Sequence, residues 1–327
     1  MNTAFASPVT TGIVSATAGV LLLAGLVIGA MQLAGRGTPE FRRELWLRYG
    51  SWLVLLPLMF GPVLLGRAWT IGAVTVLALL CLGEFARATG LFREYLTVGV
   101  VAAGILAVGF AALDNWYRLF VALWPLTTII LLAASIPLDR PAGYIQRNAL
   151  AIFAFMLLGV GLGHLGYMAN DPGYRPVVLM LLAAVALNDV AAFTWGKLLG
   201  KRLFGGRKLV PNTSPNKTVA GALGALLTTT LLVAWLGHLI FAGTAMDHWA
   251  LLVFLGVLVS VAGQCGDLML SSVKRDVGIK DMGAALPGHG GILDRFNSLL
   301  LVSPAVFHLI NYVVGIADGQ PVRVITG

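Results

Sequence analysis

Charge is what this sequence has least of. Only 11% of its 327 residues are Asp, Glu, Lys or Arg, while 58% are hydrophobic. Soluble domains carry about a quarter of their residues as charges, so a water-soluble globular fold is excluded. Intrinsic disorder, which needs low hydrophobicity, is excluded with it. Cysteine is also scarce. Cys81 and Cys265 lie in apolar stretches, which leaves no disulfide scaffold and no Cys/His zinc spacing, and reads as two free buried thiols. No Walker lysine loop, dinucleotide fingerprint or Ser-His-Asp arrangement stands out. Low-complexity tracts, tandem repeats and a soluble domain are missing as well.

What is present is long apolar runs. Mean hydropathy is +0.88, and charge-free stretches of about twenty residues recur, each long enough to cross the hydrocarbon core as a helix. The expected fold is all-α, a polytopic transmembrane bundle of about ten spanning helices. The spans read as 12–35, 50–66, 70–89, 96–113, 117–136, 148–168, 176–196, 218–243, 249–271 and 298–316. Three regions follow: 1–49, a membrane helix and basic loop; 50–170, an N-terminal helical membrane region; and 171–327, a motif-bearing C-terminal membrane region. The first span lacks a basic leader and a small-residue cleavage site, so it is expected to be a retained helix. Spans two and three are separated only around Gly66-Arg67-Ala68-Trp69 and are open to a tilted or re-entrant arrangement. The stretch 36–49 reads as a basic loop, with a short interfacial helix anchored by Trp46 and Tyr49 as the alternative.

Basic residues sort by loop. Loops 36–49, 84–95, 137–147, 197–217 and 272–297 hold 18 of the 22 Lys and Arg residues, and Arg67, Arg118, Arg175 and Arg323 are the remainder. The positive-inside rule puts the first set in the cytoplasm and both termini outside. The net charge of +8 suits anionic lipid and nucleotide and gives no sign of nucleic acid.

Polar chemistry concentrates in 264–297, where Asp267, Asp276, Asp281 and Asp294 mix with Lys274, Arg275, Lys280, Arg295 and His289. Glycines such as Gly290 and Gly291 let backbone N–H groups approach an anion. Basic side chains add phosphate contacts, and carboxylates suit a hard divalent cation. Asp267 and Asp294 close two facing span ends and bracket this loop, as Mg²⁺ bound through one or two carboxylates plus substrate phosphate requires. A second group begins at Asn188-Asp189. Asp189 lies seven residues before Gly196, or ~10 Å inside the span end. A carboxylate there costs ~2.5–3.5 kcal/mol on insertion scales and so marks function, although a structural contact between helices is the plain alternative. Ser214-Pro215-Asn216-Lys217-Thr218 opens the next span. Its free N–H groups and dipole make an anion site, with Ser214 or Thr218 able to cap and Lys217 adding charge; an ordinary helix cap is the alternative. Glu84 either lines the same cavity or snorkels toward Arg87. His164, His238 and His248 lie near outer ends and read as interfacial.

The order Ser271, Lys274-Arg275, Lys280-Asp281, Pro287, His289-Gly290-Gly291 and Asp294-Arg295 resembles the C-terminal motif of the phosphatidate cytidylyltransferases, or CDP-diacylglycerol synthases. The 189–224 stretch is similar to the same family in its Asp-x-x-Ala, paired Gly and Ser-Pro-x-Lys-Thr-x-x-Gly pattern. Two positions depart: the family places Glu where this chain has Leu270, and Asp where it has Asn297. The resemblance implies an enzyme moving CMP from CTP to phosphatidate, releasing pyrophosphate, at the cytoplasmic face of a bacterial-type inner membrane. It implies metal at Asp267 and Asp294, with Mg²⁺ as cofactor and K⁺ as a candidate companion. Lys274, Arg275, His289 and Arg295 would join those aspartates in catalysis. Substrate binding would fall to Asn188, Asp189, Ser214, Lys217, Thr218, Lys280, Asp281, Gly290 and Gly291. The implied partners are CTP, phosphatidate and membrane lipids, with a homodimer left open. A paralogue acting on another lipid phosphate, a catalytically weakened relative and a membrane transporter are the alternatives.

Overall fold

The computed structural model describes residues 5–286, 290–317 and 322–327. Among them are ten helices long and apolar enough to cross a membrane, and the chain is a multi-pass membrane protein. In order these are α1 (Pro8–Leu33), α2 (Pro39–Leu65), α3 (Arg67–Thr89), α4 (Tyr95–Leu113) and α5 (Tyr117–Ala134). Helix α6 (Tyr144–Ala154) continues through a π-helical turn, Phe155–Gly161, into α7 (Leu162–Tyr167), and the three make one span. Then come α8 (Tyr174–Phe204), α9 (Val219–Ile240), α10 (Trp249–Asp276), the short α11 (Leu293–Phe296) and α12 (Leu299–Val314). One connected apolar core runs from Ile13 to Ala317 and draws on all three sequence regions.

Local sequence explains the helix starts. Ser7 and Thr38 cap α1 and α2 through hydrogen bonds from Thr10 and Phe41, and Pro8 and Pro39 follow where a missing N–H costs nothing. The stretch 36–49 is neither a loop nor a separate interfacial helix, because from Pro39 onward it forms the first turns of α2. Trp46 there donates to Gln32 at the end of α1 (2.6 Å) and meets Tyr49 edge-on. Spans two and three are two full helices. They turn on Gly66 alone, whose φ of 134° is open only to glycine at low cost.

Hydrogen bonds and one ion pair join the loops into two sets at opposite ends of α3. At its start, Arg67 donates to Asn170 Oδ1 (2.6 Å) and to the Leu113 carbonyl, while Asp114 accepts from the Ile325 N–H (2.5 Å). At its other end, Glu84 meets the 290s loop, Arg147 meets Glu94 (3.9 Å), and Arg275 donates to the Thr213 carbonyl (3.3 Å). These are the two groups that the Lys and Arg asymmetry predicts to lie on opposite faces.

Further expectations change: of the two cysteines read as buried thiols, Cys81 is buried but Cys265 is exposed. A small antiparallel hairpin of β1 (Lys208–Val210) and β2 (Ser214–Thr218) fills what reads as plain loop. His164 is not interfacial but fully buried, with Nδ1 on the Val160 carbonyl (2.7 Å) and its ring against His308 and Phe307.

Candidate active site

The site forms where α8, α9, α10 and α11 meet the hairpin. Thr218 caps α9 by accepting from the Gly221 N–H (3.1 Å), so the dipole end of that helix and Lys217 face the same space. Gly221 permits this: a Cβ there would strike the Ala192 carbonyl of α8. On the other side, α10 brings Gln264 and Asp267, and α11 brings Asp294 and Arg295. Together with Asn188, Asp189, Ser214 and Asn297 they line a cavity of about 320 Å³.

Within that cavity the carboxylates differ. Asp267 is held by an ion pair with Lys217 and by the Asn297 amide (2.6 Å). Asp294 is buried; one oxygen takes Lys274 Nζ (2.7 Å), and the other accepts the Met282 and Gly291 N–H groups (2.8 and 3.1 Å). Asp189 is open to the cavity though walled round by protein, and Asp267, Lys217 and Arg295 act on it electrostatically. It makes no hydrogen bond among the described residues.

A residue from the N-terminal half completes the frame. Glu84 on α3 neither lines the cavity nor snorkels. Its oxygens accept the Ile292 and Leu293 N–H groups (2.9 and 2.8 Å), and Gly283 and Gly291 press so closely that a Cβ at either would meet the carboxylate. Buried Glu84 therefore ties down the start of α11, one residue before Asp294. Sequence reading missed this role; the signal was an acid buried near a span end.

The remaining expected residues divide. Asn188 is buried and accepts from Ser260 and Thr229 (2.6 and 3.1 Å), bracing α8 against α10 and α9 at the cavity edge. Arg275 donates to the Thr213 and Ile279 carbonyls and so joins hairpin to motif loop rather than lining the cavity. Lys280 and Asp281 are exposed and outside the cavity lining, although Asp281 lies beside Gly290. Pro287 and His289 lie outside the described residues. Leu270 is buried in the apolar core, away from the cavity.

Among the described residues no three acidic, His or Cys side chains converge into a ready cage for a metal ion. The donor chemistry still fits Mg²⁺, which keeps waters and takes one or two carboxylates plus substrate phosphate oxygens. Both oxygens of Asp267 and the Asp294 oxygen that takes Lys274 have one partner each and retain acceptor capacity, whereas the other Asp294 oxygen already accepts two N–H groups.

Residues 46–313 match the cytidylyltransferase family, and the chain belongs to it. Among its relatives is the uncharacterized protein YnbB of Escherichia coli (strain K12), 32% identical over 82% of this chain and 88% of that one. A phosphatidate cytidylyltransferase of Staphylococcus haemolyticus is 39% identical over 46% of this chain and 56% of its own length. That of Staphylococcus aureus (strain COL) is 40% identical over the same shares. The chain thus spans about half the length of these named enzymes.

Proposed function

We propose that the protein transfers CMP from CTP to phosphatidate, forming CDP-diacylglycerol and pyrophosphate at the cytoplasmic face of a bacterial-type inner membrane. The observation that carries this reading is the single cavity that unites a capped helix start, Lys217, Arg295 and three carboxylates at one end of a membrane bundle. Family membership supports nucleotidyl transfer, and the names of the staphylococcal relatives support phosphatidate. The predominance of Lys and Arg in the loops at this end supports the cytoplasmic side.

In this mechanism the N-terminus of α9, with Thr218 and Lys217, binds the CTP phosphates. Asp267 and Asp294 would hold Mg²⁺, with Asp189 beside them and K⁺ a further candidate. When bound, the cation neutralises phosphate charge as it builds up. Arg295 stabilises charge as a phosphate oxygen of phosphatidate bonds to the α-phosphorus of CTP and the bond from that phosphorus to the oxygen bridging to the β-phosphate breaks, so that pyrophosphate leaves intact. Lys274 and Glu84 keep Asp294 in place. The test is the purified protein in phosphatidate vesicles with CTP and Mg²⁺. Lipid-linked CMP and pyrophosphate in equal amounts support the reading. Product from another lipid phosphate and none from phosphatidate would transfer it to the paralogue alternative.

A further inference from the structure

The membrane-side floor of the polar cavity is built from amides rather than charges. Asn188 on α8 and Gln264 on α10 both line it. Each precedes a cavity carboxylate on a helix running toward the site, Asn188 by one residue and Gln264 by three. Gln264 therefore lies ~4.5 Å deeper along its helix than Asp267. The two amides are joined through one hydroxyl. Gln264 spends both amide hydrogens, on the Ala222 carbonyl (3.2 Å) and on Ser260 Oγ (3.1 Å). Ser260 passes its own hydrogen to Asn188 Oδ1 (2.6 Å), which also accepts the Thr229 hydroxyl (3.1 Å). A carbonyl can only accept, so Ala222 fixes which way the Gln264 amide points, and Ser260 transmits that orientation to Asn188.

One acceptor and one donor remain. Gln264 Oε1 and Asn188 Nδ2 take no hydrogen-bond partner among the described residues, and neither is sealed from the cavity. Asn188 Nδ2 stands beside Gly263, where a Cβ would lie 3.5 Å from it, so it neighbours the residue next to Gln264. Bracing between helices explains the bonded halves of both amides. It leaves these two atoms idle at a depth where an unserved polar group is costly.

We propose that this pair reads the nucleotide base: Gln264 Oε1 accepts the exocyclic amino group of cytosine, and Asn188 Nδ2 donates to its ring N3. The inference rests on the nucleotidyl-transfer reading and adds to it what selects the base. Cytosine presents an amino donor beside a ring acceptor, whereas uracil presents a carbonyl acceptor beside a ring N–H. Against uracil the amides would meet like groups, acceptor on acceptor and donor on donor, and their bonded halves keep them from turning over. Adenine shares the order found in cytosine, so the pair separates cytosine from uracil and not from adenine. A base on this floor leaves the phosphates to extend toward Lys217 and the start of α9 at the cytoplasmic rim.

The probes are CTP, UTP and the triphosphate of the cytidine analogue without the exocyclic amino group. Each is titrated with Mg²⁺ into the full-length protein in phosphatidylcholine nanodiscs and followed by calorimetry. Wild type should bind CTP at least about tenfold more tightly than either of the others, because the pair's polar atoms go unserved without the cytosine edge. Gln264→Met keeps the side-chain length and should bind CTP and the deaminated analogue alike. A Gln264 that only braced helices would change all three affinities together and leave their ratio unmoved. Equal wild-type affinity for CTP and the deaminated analogue, a comparison that needs no variant, would overturn the base site. So would a CTP preference in Gln264→Met as large as that of wild type. A Gln264-dependent preference for CTP in a protein that makes no CDP-lipid would uphold the base site and reject the reaction. CDP-lipid formation with the preference intact in Gln264→Met would do the reverse.

Discussion

Asn297 and Leu270, the two departures from the family pattern, have opposite physical meanings. Asn297 donates to Asp267 (2.6 Å) while its own oxygen accepts the Ser298 N–H (2.7 Å), so it restrains a cavity carboxylate without adding charge. Asn297→Asp removes the donor and sets two carboxylates against each other, a repulsion that a bound cation relieves. The variant should reach half-maximal activity at lower Mg²⁺ and gain more thermal stability from Mg²⁺ than wild type; an unchanged magnesium titration would reject this. Leu270→Glu is different. Leu270 is core, so the new acid would sit among apolar side chains and cost about 3 kcal/mol or more as an unpaired buried group. Loss of folded protein, with no change in magnesium dependence of what remains, is the expected outcome in denaturation and activity assays.

At the scale of elements, the site depends on short ties between helices distant in sequence. Glu84 on α3 holds the N–H groups of Ile292 and Leu293. Glu84→Gln keeps the size but offers one acceptor oxygen, leaving a buried N–H short of a partner at about 1–3 kcal/mol. Because Glu84 acts on Asp294 through α11, kcat should fall more than either KM does, and Glu84→Asp should not rescue it, its reach being shorter. A matched loss in KM alone would make Glu84 a substrate contact instead. A second tie closes the far end of the bundle. The Asp114 carboxylate accepts the Ile325 and Thr326 N–H groups and the Thr326 hydroxyl (2.5, 3.0 and 2.6 Å). It is covered by the tail itself rather than sunk among helices. Burial pushes its pKa up, but the hydrogen bonds from Thr326, Ile325 and Val324 outweigh this and hold it below the ordinary carboxylate value. A depressed folded pKa gives stability that is full above the unfolded value and lost as pH falls through the folded one. Protection of the Ile325 and Thr326 amides, taken relative to their intrinsic exchange rates at the same pH, should therefore fall under acid and, at neutral pH, in Asp114→Ala; protection independent of both would remove the tether.

For the whole molecule, much was legible because membrane insertion simplifies the code. Apolar runs long enough to span revealed ten helices, and the basic loops sorted into the two sets that hydrogen bonds join. The Lys217-Thr218 start of α9 was legible too, since a helix cap is a local signal. Contacts across the bundle were not: Glu84 on Leu293, Asn188 between two hydroxyls and Lys274 on Asp294 depend on packing that no periodicity encodes. Continuity of 39–49 with α2 was hidden by its charges, which solvate the part of the helix beyond the hydrocarbon. If the basic end is cytoplasmic, Lys201→Cys and Lys280→Cys should react with impermeant reagent from the same side, and Ala245→Cys from the other, in a Cys265→Ser background. Labelling of Lys201→Cys and Lys280→Cys from different faces would break the topology. The central claim is that Asp294 serves a metal-dependent transfer from CTP to lipid. Its most direct test is CDP-diacylglycerol formation by wild type and Asp294→Asn, matched for thermal stability and titrated with Mg²⁺. The account predicts magnesium-dependent product from wild type and at least a hundredfold loss (about 3 kcal/mol in the barrier) in the variant; a well-folded Asp294→Asn protein turning over at the wild-type rate would contradict it.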